Sequence, residues 1–271
     1  MREAERPTTT PFLRWAGSKR QLVPVLKTYW KSSHERYLEP FAGSACLFFS
    51  LSPERAILGD LNADLISTYR EVKYRHHGIL SRLLKLRRSK WLYSKLRATD
   101  PAKLGASARA ARFIYLNRYC FNGLYRTNLQ GEFNVPYGGA GTGTLPSPDH
   151  LRDCANRLRR TRLVSGDFEK VLKHAKRGDF VYIDPPFAIR SRRVFNEYDP
   201  ATFGVDDIKR LRVWMERLAR RRIAFVVSYA ESEEADVLRK GFDSQAVSVR
   251  RNIAGFVAHR SASKEILISN V

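Results

Sequence analysis

Phe180-Val181-Tyr182-Ile183-Asp184-Pro185-Pro186-Phe187 decides the reading of this chain. Four apolar residues in a row predict a buried strand, and two adjacent prolines end it. Each proline fixes φ and removes a backbone donor. Pro186 also keeps Pro185 out of the helical region. The expected result is a stiff, extended turn that presents a carboxylate, carbonyl oxygens and an aromatic ring. It sits just past the carboxyl end of a strand, where ligands bind in open α/β sheets.

Working outward, further strand stretches are expected at 37–41, 56–58, 162–165, 223–228, 246–249 and 265–268. Between two of these lies a helical pattern over 206–222, in which Ile208, Leu211, Met215 and Leu218 recur at helical spacing and Lys and Arg fill the other face. Asp206 or Asp207 is placed to cap it. Such alternation predicts an α/β domain with a mostly parallel sheet. It breaks between about Thr68 and His150, a stretch that reads as helical and then loop-rich. The natural reading is a second lobe, 68–150, inserted into an α/β domain formed by 1–67 and 151–271. Gly138 to Gly143 reads as a flexible loop leading back.

The charge is strongly positive. The 271 residues hold 49 Lys plus Arg against 27 Asp plus Glu, for a formal net charge of +22. Residues 70–130 carry fifteen of the cations and only two acids, Glu71 and Asp100. A field of this kind implies a polyanionic partner. The bland alternative is a solvated helical face, which suits Arg82, Lys85, Arg87 and Arg88 taken singly. Apolar runs such as Ile223 to Val227 fall far short of the roughly 20 residues of a membrane-spanning helix. Met1 to Arg6 holds no apolar signal segment. Cys46, Cys120 and Cys154 form neither a CxxC pair nor a His/Cys cluster, so no metal and a reduced cytoplasmic setting are expected.

The chemistry expected at the Asp184 turn follows from its groups. An exocyclic amine on a base is a poor nucleophile, because its lone pair is delocalised into the ring. Acceptors on its N–H protons favour sp³ nitrogen and stabilise the charge that develops during attack. Asp184 and the Pro185 carbonyl suit that task, and Phe187 suits stacking on an extruded base. The plain alternative is a proline turn whose Asp merely caps.

A second motif is Tyr37-Leu38-Glu39-Pro40-Phe41-Ala42-Gly43-Ser44-Ala45, where a strand meets a turn of small residues that admits close ligand approach. No G-x-G-x-x-G is present, so the dinucleotide fingerprint is absent. About 20 residues on, Gly59-Asp60-Leu61-Asn62 ends a second strand. Asp60 either accepts the hydroxyls of a ribose or caps a helix over 63–72. Phe12-Leu13-Arg14-Trp15-Ala16-Gly17-Ser18-Lys19 puts a Trp beside a small-residue turn and a lysine, as a ligand contact or as a core anchor. In the basic lobe, 117–128 interleaves Asn, Arg and aromatics, the residue types that grip phosphates, read base edges and wedge into base stacks.

Taken in order, F-L-R-W-A-G-S-K, E-P-F-A-G, N-R-Y-C-F-N-G-L-Y-R-T-N, G-E-F-N-V-P-Y-G and D-P-P-F resemble the alpha group of amino-methyltransferases, the Dam-type DNA adenine-N6 methyltransferases of the D12 class. The likeness spans nearly the whole chain. It implies a seven-stranded, Rossmann-like sheet that binds S-adenosylmethionine (AdoMet), with a mainly helical target-recognition lobe inserted. It also implies transfer of a methyl group to a flipped adenine in duplex DNA, in a GATC-like site. Catalysis falls to Asp184, Pro185, Pro186 and Phe187. AdoMet contacts fall to Trp15, Lys19, Asp60, Asp184, Asp167 and Phe168, with Phe41 and Gly43 from the glycine turn. DNA contacts fall to Phe121, Asn122, Leu124, Arg126 and Pro136, with Arg118 and Asn128 from the same stretch. A monomer in the cytoplasm, close to the nucleoid, is expected.

Three residues depart from the family pattern. Phe187 stands where Tyr is commoner, Ala45 replaces a frequent second glycine, and Ser18 replaces a glycine beside Lys19. Arg190-Ser191-Arg192-Arg193 after the turn is unusually basic, and a phosphate contact is expected there. The competing readings are methylation of RNA or of a protein glutamine amide, cytosine-N4 methylation, and a DNA-binding module with a spent site. The intact Asp184-Pro185-Pro186 and Asp60 argue against the last. Zinc deaminase chemistry lacks its P-C-x-x-C and H-x-E, and Gly17-Ser18-Lys19 lacks phosphate-loop spacing.

Overall fold

The computed structural model describes residues 8–128, 130–188, 203–250 and 262–271. The 190–193 run lies outside them. Among the described residues seven strands form one sheet in the order β3-β2-β1-β4-β5-β7-β6: β1 Arg36–Glu39, β2 Ala56–Asp60, β3 Thr161–Ser165, β4 Asp179–Ile183, β5 Ala224–Ala230, β6 Asp243–Arg250 and β7 Ala262–Ser269. The helices are α1 Val23–Tyr29, α2 Cys46–Leu51, α3 Ala63–Leu83, α4 Lys90–Ala98, α5 Ala106–Tyr119, α6 Pro148–Leu158, α7 Glu169–Leu172, α8 Val205–Arg220 and α9 Glu233–Arg239. The architecture is α/β with a mixed sheet. β7 runs antiparallel to both β5 and β6, so the expected parallel character holds for β1, β2, β4 and β5 and fails at that edge.

The chain divides into two compact units. One comprises Met1–Ser18, Gly43–Ser52 and Asn62–Ser165; the other comprises Lys19–Ala42, Pro53–Leu61 and Gly166–Val271. The whole 68–150 stretch falls in the first.

In the second unit the central strands are apolar on both faces. Phe180, Val181 and Ile183 of β4 and Phe225, Val226 and Val227 of β5 are fully buried, as parallel strands covered on both sides require. The chain steps outward from β1 to β2, then returns to the other side of β1 as β4. The order therefore reverses between β1 and β4, and a crevice opens at such a switch point beyond the carboxyl ends of the strands. α8 buries Ile208, Leu211, Trp214, Met215 and Leu218, the spacing seen in the sequence. Its cap differs from expectation: Gly204 is the N-cap, and Asp207 reaches back to accept from the Gly204 N–H at 2.9 Å. β1 and β4 are also pinned at their starts, where Arg36 makes a two-pronged contact with buried Asp179 at 2.8 and 2.6 Å.

In the first unit α3, α5 and α6 pack together around Leu65, Tyr69, Ile79, Ile114, Leu116, Leu151 and Cys154. Asn62 caps α3, its Oδ1 accepting from the Leu65 N–H at 2.9 Å. Asp60 is thus not the cap. Arg70 and Lys73 of α3 donate to the Leu163 and Thr161 carbonyls of β3 at 3.0 and 2.9 Å. Between α5 and α6 the described residues pair through isolated bridges, Cys120 with Tyr137 and Thr127 with Phe133. All three cysteines are buried, and none is in a disulfide.

Removing Asp179 takes away the carboxylate that pairs with Arg36 at the start of β1 and leaves the His174 carbonyl, at 2.9 Å, as its remaining acceptor. Asp179→Ala is expected to cost about 3 kcal/mol of unfolding free energy, measured by urea denaturation with an unchanged slope against denaturant.

Candidate active site

In the second unit the carboxyl ends of β1, β2 and β4 carry Glu39, Asp60 and Asp184. The Asp184 side chain is 19% exposed and the Lys19 side chain 13%. Lys19 Nζ lies 3.0 Å from Asp184 Oδ1 and 4.0 Å from Glu265 Oε1 on β7. Ser228, fully buried on β5, donates its hydroxyl to the same Asp184 Oδ1 at 3.0 Å. The sheet register sets this up. Ile183 pairs with Val227, so one residue further Asp184 stands level with Ser228. Burial raises the Asp184 carboxyl above the ordinary aspartate value, while the Lys19 charge and the hydrogen bonds from Lys19 and Ser228 pull it down.

The turn that follows is held as its prolines demand. Pro185 is buried and Pro186 exposed. Phe187 is 49% exposed. Its ring meets the buried Tyr229 edge-to-face at 5.7 Å, with Lys19 Nζ 6.0 Å from its centroid. The Tyr229 hydroxyl accepts from the Ala188 N–H at 2.9 Å. A half-exposed aromatic face beside a carboxylate is thus fixed from below by β5.

Glu39 of E-P-F-A-G is 2% exposed and accepts from the Tyr37 hydroxyl at 3.0 Å. Burial pushes its carboxyl well above the usual range, the Tyr37 hydrogen bond opposes this, and the charges of Asp184 and Asp60 add to it. Glu39 therefore senses both neighbouring strand ends.

Gly166 donates its N–H to the Asp60 carbonyl at 2.9 Å, which brings Asp167 and Phe168 beside the end of β2. Phe168 stacks on Phe41 at 5.3 Å. Arg210 of α8 donates to Asp167 Oδ1 at 2.8 Å, contacts Glu169 and Asp207, and lies 4.8 Å over the Phe168 ring. The Glu169 N–H reaches that same Asp167 oxygen at 3.0 Å.

In the first unit Trp15 stacks on Tyr125 at 5.7 Å. Gly43 has φ +46, and a Cβ there would sit 2.8 Å from the Trp15 indole. Ala45 has φ 52, the left-handed region that glycine serves more cheaply. Ser18 Oγ is 2.8 Å from Cys46 Sγ. In the lobe stretch Phe121, Asn122, Leu124, Arg126 and Pro136 are exposed. Arg118 and Asn128 use side-chain groups locally. Arg118 Nε donates to the Thr144 carbonyl at 2.6 Å. Asn128 Oδ1 accepts from the Gln130 and Glu132 N–H groups. A cleft of about 760 Å³ is lined by Asp64, Arg97, Arg112, Phe113, Tyr125 and Asn134, among others.

The sequence profile of the D12 class N6 adenine-specific DNA methyltransferases matches residues 15–253. The chain belongs to this family. Similar proteins include the Type II methyltransferase M1.LlaDCHI of Lactococcus lactis subsp. cremoris, 34% identical over 96% of this chain and 95% of its own. The Type II methyltransferase M.MjaIII of Methanocaldococcus jannaschii is 30% identical over 90% and 92%. The DNA adenine methylase of Serratia marcescens is 31% identical over 94% and 96%. As a D12 member the protein is an adenine-specific DNA methyltransferase, and its family implies AdoMet as methyl donor.

The residues of this D12 enzyme fit that cofactor. Asp60 and Asp167 are brought together by the Gly166 hydrogen bond, one at the end of β2 and the other beside the Phe41–Phe168 stack. Among the described residues no His, Cys, Asp or Glu cluster is arranged to hold a metal ion, and no helix is long and apolar enough to cross a membrane. Ser228, Tyr229 and Arg210 escaped the sequence reading. The one signal for the first was a hydroxyl residue closing the apolar run Phe225-Val226-Val227.

A methyl group at position 43 would displace the Trp15 indole and strain a left-handed backbone by about 1–2 kcal/mol. Gly43→Ala is expected to shift the tryptophan fluorescence and to lower the unfolding free energy by about that amount, measured by urea denaturation. Glu39, with its raised folded value, adds stability below the ordinary glutamate range, and that stability is lost as pH climbs toward the raised value. Glu39→Gln is expected to flatten this fall in melting temperature with rising pH.

Proposed function

We propose that the enzyme methylates the N6 amine of an adenine flipped out of duplex DNA, in a GATC-like site, with AdoMet as donor. The observation that carries this is the Asp184 corner. Two donors converge on one carboxylate oxygen, and a half-exposed Phe187 face stands beside it. Family membership supplies the base and the reaction.

In this reading AdoMet contacts fall to Lys19, Asp60, Asp167, Phe168, Phe41 and Asp184, and by family likeness to Trp15 and Gly43. Bound there, AdoMet supplies an electrophilic methyl on a sulfonium. Asp184 and the Pro185 carbonyl accept hydrogen bonds from the target N6–H groups and draw the nitrogen toward sp³ geometry. Phe187 stacks on the adenine and limits its tilt; lacking a phenol hydroxyl, it acts through its ring alone. Residues 68–150 form the recognition lobe. Phe121, Asn122, Leu124, Arg126 and Pro136 read or position the site, and the surrounding cations, with Arg118 and Asn128 bracing the loops, meet phosphates. The protein acts as a monomer in the cytoplasm near the nucleoid.

Asp184→Ala is expected to abolish methyl transfer while DNA binding survives. Transfer of label from radioactive AdoMet to duplex oligonucleotides, beside a filter-binding assay, checks both. Turnover by this variant removes Asp184 from the chemistry, and label found only on RNA or protein removes the DNA assignment. Replacing Arg or Lys in 70–130 is expected to lower the slope of log affinity against log salt by about one for each phosphate that is no longer neutralised. Mapping N6-methyladenine after expression in a methylation-free host reads the recognition site.

A further inference from the structure

We infer that Ser228 is a positioning residue for methyl transfer: it fixes the rotamer of Asp184 so that Oδ1 is bound inside the protein and Oδ2 is turned to the target amine. The inference rests on the reading of Asp184 given above and adds a residue to it.

Both donors to Asp184 among the described residues, Lys19 Nζ and Ser228 Oγ, reach Oδ1, each at 3.0 Å. Oδ2 receives no hydrogen bond from the described residues. A carboxylate that accepts twice on one oxygen cannot rotate without breaking both contacts, so the other oxygen keeps one direction. Ser228 is itself fixed. Its Oγ lies 3.0 Å from the buried Tyr182 hydroxyl. The single Ser228 proton is committed to Asp184, so the Tyr182 hydroxyl must be the donor of that second bond. The result is a directed chain from Tyr182 through Ser228 to Asp184, in which each bond polarises the next. It also accounts for a hydroxyl amid Phe225, Val226, Val227 and Tyr229, all at most 1% exposed. A buried hydroxyl costs stability unless it is bonded, and here one bond comes from Tyr182 and the other goes to the Asp184 carboxylate.

The charged and titratable groups about Asp184 are Lys19 from the turn before α1, Glu265 of β7 on the far side of that lysine, Glu39 and Tyr37 of β1, and Tyr182 of β4. The Ser228 bond favours the ionised carboxylate. Ser228→Ala is thus expected to make Asp184 harder to ionise and to move the acid limb of the rate profile to higher pH.

The test uses the full-length protein and single-turnover methylation of a duplex oligonucleotide from pH 5 to 9, about two units either side of neutrality. At saturating AdoMet, Ser228→Ala is expected to raise the acid limb by about one unit and lower the plateau about tenfold. Ser228→Thr, which keeps the hydroxyl, is expected to restore the limb. Tyr182→Phe is expected to shift it in the same direction by less. An unmoved limb in Ser228→Ala, whether the rate is normal or is lowered equally at every pH, overturns the inference, and so does failure of a folded Ser228→Thr to restore it. Circular dichroism melting identifies any variant that fails to fold, and Tyr182→Phe then carries the same reading. Asp184→Asn in parallel separates two failures. If it methylates, the Asp184 reading falls; if it is inactive while Ser228→Ala has the parent profile, only the role of Ser228 falls.

Discussion

A carboxylate is kept at the mouth of an apolar sheet, and the terms of its keeping govern the site. Asp184 follows four buried residues of β4, so its charge sits where burial favours the neutral acid. Lys19 supplies the opposing charge and Ser228 a fixed dipole, both at 3.0 Å. The balance depends on topology as much as on side chains. The reversal of strand order between β1 and β4 opens a crevice there, and the β4–β5 register brings a serine level with the aspartate. The two prolines then forbid the turn from relaxing into helix.

The Asp167 end of the crevice follows the same logic with different partners. Asp167 is held through Oδ1 by Arg210 and by the Glu169 N–H, as Asp184 is held through Oδ1 by Lys19 and Ser228. Arg210 also covers Phe168, which stacks on Phe41. Each acid is anchored by one oxygen, so the geometry of ligand contact is set before a ligand arrives. Pre-organisation of this kind is what a reaction governed by orientation needs.

Much of this was legible in the chain. All seven strands were anticipated as short apolar runs, most plainly the buried parallel β4 and β5; β6 was underestimated because most of its described residues are exposed. The antiparallel β7 was not legible, since strand direction leaves no mark on composition. Asp184 and Asp60 stood out because a carboxylate beside a strand end is chemically costly without a use; Lys19 stood out beside Trp15 in a small-residue turn, and Phe168 through the family likeness. Ser228 and Arg210 did not stand out. A serine at a strand end and an arginine on an amphipathic helix are ordinary locally, and only register or packing shows what they touch. Nor did the local bonding of Asn128 stand out: its carboxamide oxygen closes a turn, which residue type alone does not show.

The outermost strand of the sheet offers one more consequence. β3 lies at the rim, and Arg70 and Lys73 already occupy the Leu163 and Thr161 carbonyls. Two acceptors that a passing extended chain would need are spoken for, and the cations beside them repel a second copy of the same rim. In a sheet with an exposed rim this is built-in insurance against zippering into aggregates. The side chains that shield the sheet are of the same kind that draw the enzyme to nucleic acid, so solubility and attraction come from one composition.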